Sequence, residues 1–138
     1  MRVRLAVQVL SKSVAKGLRF YSAYHHELED STATAEFCEW INSMLDSLNR
    51  KEYQNWLKPG NKDYLLLQES LQKLDQWEDL MEEGTITNNE FLTRQTAEGL
   101  RVTLQSMIEI TSYLTSKFNF QCILSGNINQ DALKVYFI

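Results

Sequence analysis

Little in this sequence breaks a helix or builds a metal site. One proline and five glycines in 138 residues leave few turn signals, which favours long helices over many short strands. Cys38 and Cys122 are the two cysteines. They stand far apart and neither belongs to a CxxC pair, so no zinc module is encoded. Two buried reduced thiols are the expected state, with a single disulfide as the alternative. No apolar stretch is long enough to cross a membrane. Nothing reads as a signal peptide: basic residues precede an apolar run in MRVRLAVQVL, but Ser11, Lys12 and Ser13 end that run too soon. Neither of the standard glycine-rich phosphate cradles, GxxxxGKS/T or GxGxxG, occurs, and there is no internal repeat or low-complexity segment. The net charge of -4 speaks against non-specific nucleic-acid binding, which needs clustered Lys and Arg. It leaves room for a local patch that holds a nucleotide or touches DNA.

What is present is helical periodicity. Val3, Val7, Leu10, Val14, Leu18 and Tyr21 recur at spacings of three and four, one face of an amphipathic helix. That helix starts almost at residue 1 with no cap, as expected of a segment cut from something longer. A second helix follows the capping candidates Asp30, Ser31 and Thr32. It carries an apolar stripe of Phe37, Ile41, Met44 and Leu48 and a polar stripe of Glu39, Asn42, Asp46 and Asn49. Pro59 and Gly60 break the chain. A third helix is expected from about Asp63 to Glu83, with Tyr64, Leu67, Leu71, Leu74 and Met81 inward and Gly84 at its C-terminal end. The fourth and longest is expected from about Asn89 to Phe118, with Ala97, Leu100, Leu104, Met107, Thr111, Leu114 and Phe118 on one face. Two long helices with a short connector should pair antiparallel. Phe120 to Leu124 fits a strand or an extended connector, and Ser125, Gly126 and Asn127 a turn. A last helix begins near Asn129 and stops on the apolar Val135 to Ile138, again as in a truncated domain. The fold class is all-α: an antiparallel bundle of about four main helices with a short C-terminal extension.

The residues carry no obvious enzyme. His25 and His26 are adjacent and, on a helix, point about 100° apart, so they do not share a ligand. They read as solvated residues near a helix end. Neither cysteine has a histidine close in sequence. The acidic QWEDLMEE reads as a solvated face. Asn42 and Asp46, four apart, stand on one helix face one turn apart. An amide and a carboxylate so placed can read a purine edge, the carboxylate accepting from guanine N–H groups. On spacing alone an exposed polar face is by far the better explanation. In the tail, Asn129, Gln130 and Asp131 are adequate helix caps.

INQDALKVYF resembles the LNQDxLExFFG signature of P element-type transposases and their THAP-domain relatives. RLAVQVLSKSVAKGL is similar to the start of that family's GTP-binding insertion domain. AEFCEWINSMLDSLN is similar to its second signature, an Asn, two residues, a Phe-Asp pair and a nearby Asn. The three segments have the family's order and spacing, and together they cover essentially the whole chain. The resemblance implies a helical insertion domain at residues 1–124 and the start of a returning RNase H-like segment at 125–138. It implies GTP that helps position DNA and is not hydrolysed, with Mg²⁺ only as its counter-ion. By position, Arg2, Val3 and Ser11 match nucleotide-site residues of the first helix. Asn42 and Asp46 match the residues that read guanine. Leu45 takes the place of a stacking Phe, and Asp131 that of an Asp reaching the nucleotide.

Two departures stand out. Lys134 replaces the family's catalytic Glu, and a lysine cannot ligate catalytic Mg²⁺. Leu45 lacks the stacking face of Phe, which is worth on the order of 1–3 kcal/mol per base, so GTP binding is expected to be weak. The family's two upstream catalytic carboxylates and its THAP zinc domain are not in this chain. The resulting expectation is a non-catalytic fragment of a decayed or domesticated P element-like transposase, nuclear, binding guanine nucleotide. It would meet DNA only within a longer protein, assemble with transposase or other protein subunits and touch no membrane. The alternatives are a helical protein-interaction module that has lost nucleotide binding, and an inhibitory fragment that associates with intact transposase.

Overall fold

The computed structural model describes residues 7–52 and 56–128. Arg2, Val3, Asp131, Lys134 and the expected last helix from Asn129 lie outside them. Among the described residues four α-helices have both ends defined: α1 (Lys12–Ser22), α2 (Thr32–Leu48), α3 (Lys62–Glu82) and α4 (Arg94–Phe118). Short 3-10 turns lie at His26–Leu28, Asn88–Glu90 and Ser125–Asn127. The only β pairing among the described residues is an isolated antiparallel bridge between Leu57 and Ile123. The fold is all-α. The chain divides into two compact units, one ending at Asp46 and one beginning at Ser47.

The first unit corrects the expected opening helix. Residues 7–9 are helical, but the chain breaks at 10–11 before α1 begins. Ser11 is extended (φ -125°, ψ 157°) and its hydroxyl accepts from Val14 N–H, so a helix is capped anew in the middle of the apolar run. The break shifts the helical phase. Val7, Val14 and Tyr21, three members of the expected stripe, are exposed. Ala15 is buried instead and packs with Ala35 and Cys38 of α2, flanked by Leu10 and Leu18. Small side chains at this contact let two helices approach closely. Arg19 of α1 and Glu39 of α2 form a two-pronged ion pair beside it.

The second unit is built on the α3–α4 hairpin, which has the expected antiparallel pairing. Asn61 caps α3: its side-chain oxygen accepts from Tyr64 N–H at 2.9 Å while its amide donates to the Trp56 carbonyl at 2.7 Å. Gly84, at φ 76°, ends α3, with its N–H on Met81 and that of Thr85 on Leu80. This is the left-handed C-terminal stop that glycine adopts without strain. Tyr64, Leu67 and Leu74 of α3 and Ala97, Leu104, Met107 and Thr111 of α4 are buried. The Thr111 hydroxyl is satisfied by the Met107 carbonyl at 2.7 Å. Arg101 bridges back to Asp75 and Glu78, and Trp77 packs edge-on against Phe91. The fourth helix starts later than expected. Thr87 and Glu90 form a capping box around the Asn88–Glu90 turn, the chain runs extended through Phe91, and Thr93 caps α4 afresh. Phe118, expected inward, is exposed.

The segment after α4 is the expected extended connector. Leu57 and Ile123 exchange N–H···O bonds of 2.8 Å in both directions. The following turn then docks on the chain just past the end of α2. The Ser125 hydroxyl donates to the Ser47 carbonyl at 2.7 Å and accepts from Arg50 N–H at 3.0 Å. Gly126 N–H donates to the Arg50 carbonyl. A Cβ on Gly126 would lie 2.9 Å from the Asn49 oxygen and 3.0 Å from that of Arg50, so this close approach requires glycine. Arg50 also holds Asp63 at the start of α3.

Candidate functional site

The polar stripe of α2 meets the first turn of α1. Helix N-termini leave backbone N–H groups without intrahelical partners. In α1 the Ser11 hydroxyl takes the one of Val14. The N–H of Lys12 is taken from across the unit, by the Asn42 side-chain oxygen at 3.2 Å. The Asn42 amide nitrogen in turn donates to Asp46 Oδ2 at 2.8 Å. Asn42 and Leu45 are half-buried and Asp46 is exposed. Ser11, Asn42 and Asp46, three of the residues predicted from sequence, are thereby brought to one place, and Leu45 sits on the same turn of α2 as Asp46.

The surroundings are cationic on the α1 side. No acidic residue lies in the first turn of α1. One turn before Asn42, the hydrogen bond from Arg19 holds the Glu39 carboxyl below the usual glutamate range, partial desolvation opposes it, and Lys12 and Lys16 add attraction. The missed participants are thus the Lys12 backbone amide and the Arg19–Glu39 pair. A backbone amide leaves no mark in a sequence pattern. The Ser11–Lys12–Ser13 interruption of the apolar run is the signal in the sequence that points to them.

A carboxylate has about four lone-pair positions and can accept two parallel N–H bonds. Asn42 takes one position on Asp46 Oδ2, and the exposed remainder can accept a pair of N–H donors.

Other features carry less. His25 and His26 are exposed, as expected of solvated residues. Both described cysteines are free; Cys38 is buried and Cys122 half-buried. Among the described residues no group of three or more His, Cys, Asp and Glu could hold a metal, and no helix is long and apolar enough to cross a membrane. A cavity of about 640 Å³ opens at the end of the hairpin, lined among others by Glu78, Phe91, Arg94 and Arg101. It includes none of the predicted residues, and its arginines are already paired with Glu98, Asp75 and Glu78.

Residues 1–59 match the family described as TNP-like, GTP-binding insertion domain, a stretch that contains Ser11, Asn42, Leu45 and Asp46. The chain is related to the P element-type transposases. It is 26% identical over 140 aligned residues to the Transposable element P transposase of Drosophila melanogaster, covering 99% of this chain and 18% of the transposase. The chain thus spans about a fifth of the length of that relative. No solved structure gives a significant match.

Proposed function

We propose that this chain is a guanine-nucleotide-binding helical element of a transposase-type protein and performs no chemistry with its own residues. The observation that carries the reading is the connected set of Lys12 N–H, Asn42 and Asp46, which presents an exposed carboxylate beside a helix N-terminus without acidic residues. Asp46 receives guanine N1–H and N2–H in charge-assisted hydrogen bonds. Adenine lacks that pair of donors. By the family resemblance Arg2, Val3 and Asp131 are the remaining nucleotide-site positions, and Mg²⁺ accompanies the triphosphate as a counter-ion. Leu45 offers the base an aliphatic surface in place of an aromatic one, so affinity is low. Lys134, where related transposases carry a catalytic Glu, supports a non-catalytic role and a decayed or domesticated origin. DNA and transposase subunits are met within a larger protein in the nucleus.

Isothermal titration of the chain with GTP, GDP and ATP tests this. The expected result is guanine preference of at least about tenfold, since one charged hydrogen bond is worth about 1.5–3 kcal/mol. Asp46→Ala should erase the preference and Leu45→Phe should tighten binding. No Mg²⁺-dependent nicking of DNA should accompany it. A parent protein that binds nothing at millimolar GTP defeats the reading.

A second reading, a protein-interaction module, is favoured by the exposed aromatic cluster of Phe20, Tyr21 and Tyr24 at the end of α1, whose rings lie 5.2 and 5.4 Å from that of Phe20. Loss of partner capture on Phe20→Ser with nucleotide binding absent is the outcome that selects it.

A further inference from the structure

The family resemblance makes Asn42 a reader of the base. The geometry points to a different role: we infer that Asn42 is a positioning residue, whose amide clamps the first turn of α1 to Asp46 and sets the carboxylate before any nucleotide arrives. The role as stated rests on the guanine-nucleotide reading of Asp46.

An (i, i+4) Asn–Asp contact alone is an ordinary helix-surface pair. What separates this one is the second bond, from a backbone donor 30 residues away. The two bonds fix the amide's orientation. Its oxygen faces an N–H and its nitrogen faces a carboxylate, at 3.2 and 2.8 Å. Turning the amide over would set donor against donor and acceptor against acceptor. The nitrogen holds Oδ2 of Asp46 and so restrains the carboxylate plane. Both ends of Asn42 are therefore engaged inside the protein, whereas Asp46 keeps an exposed side.

Restraining a side chain in advance removes an ordering cost from binding. For one side chain that amounts to between about twofold and tenfold in affinity. The cost of removing Asn42 to the folded state is small, because the Lys12 amide lies at the surface and water replaces the lost acceptor. Affinity and stability should therefore separate.

The test uses the full chain with Asn42→Ala, Asn42→Asp and Asp46→Ala, the last also combined with Asn42→Ala. Hydrogen exchange of the Lys12 backbone amide, read by NMR without ligand, should speed up in Asn42→Ala and stay slow in Asn42→Asp, which keeps the acceptor. GTP affinity by titration should fall about two- to tenfold in Asn42→Ala. It should fall further in Asn42→Asp, where two carboxylates face each other. Melting temperature should move little in either. In the Asp46→Ala background, Asn42→Ala should change GTP affinity no further, the signature of a residue acting through another. Unchanged Lys12 exchange in Asn42→Ala overturns the clamp. A further loss of affinity in the Asp46→Ala background overturns the positioning role, because Asn42 then touches the nucleotide itself. Should the parent not bind GTP, the nucleotide reading fails, and the positioning role falls with it whatever the Lys12 exchange shows.

Discussion

The helix pairs of the two units of this chain are joined by different materials. The unit that begins at Ser47 buries large side chains: Leu57, Tyr64, Leu67, Leu74, Leu104, Met107 and Ile123. In the unit that ends at Asp46 the cluster joining α1 to α2 is Ala15, Ala35 and Cys38; α2 also buries Ile41 and Met44, while Phe20, Tyr21 and Tyr24 stay exposed. Burial stabilises in proportion to apolar area, so the hairpin is the stable scaffold and the α1–α2 contact the more easily opened part. Binding elements are drawn from the low-stability end of a structure. The candidate site lies in the unit whose α1–α2 contact is made of small side chains, and the family match at residues 1–59 takes in all of that unit.

Cavity-forming substitutions test this contrast most directly. Leu104 is 1% exposed, and Leu104→Ala should cost about 2–5 kcal/mol in urea unfolding. Ala15→Gly in the first unit should cost nearer 1 kcal/mol, about the helix-interior cost of glycine. Equal costs would erase the contrast. Gly126→Ala comes next. Its new Cβ meets two backbone oxygens at 2.9 and 3.0 Å, and overpacking of that kind typically costs about 1–3 kcal/mol. A neutral result would show that the Ser125–Gly126 turn is not held against residues 49 and 50.

The hairpin was the part most legible in the sequence. Tyr64, Leu67 and Leu74 keep a helical rhythm, Pro59–Gly60 and Gly84 punctuate it, and those signals are local. The break at Ser11 was not legible, because the apolar period runs straight across it. What settles the backbone there is a hydroxyl cap and an Asn42 acceptor 30 residues away. The Ser125 docking was hidden for the same reason, since its partner Ser47 lies 78 residues off. For the candidate site, spacing put Asn42 and Asp46 on one face. The identity of the ligand came from the resemblance, and the link to α1 came only from the structure.

The smallest expected effect concerns the connector that lets the hairpin turn. Glu90 accepts from both the N–H and the hydroxyl of Thr87, each at 2.8 Å. The backbone bond first, and the hydroxyl second, hold its carboxyl below the usual glutamate range, with slight desolvation opposing. These bonds favour the charged form, so the folded pKa lies below the unfolded one. The stabilisation is therefore complete above the ordinary glutamate value and is lost as the pH falls through the lower, folded value. Glu90→Gln keeps the size of the side chain and removes the charge. Its melting temperature should lie slightly below the parent's at neutral pH, and the gap should close on acidification because the parent's own carboxyl becomes neutral. The measurement is the difference between the two proteins across the acidic range, since other carboxylates titrate in both and cancel. A gap that stays constant with pH would mean that the box works through its shape alone, and that this connector adds no charge-dependent stability to the scaffold.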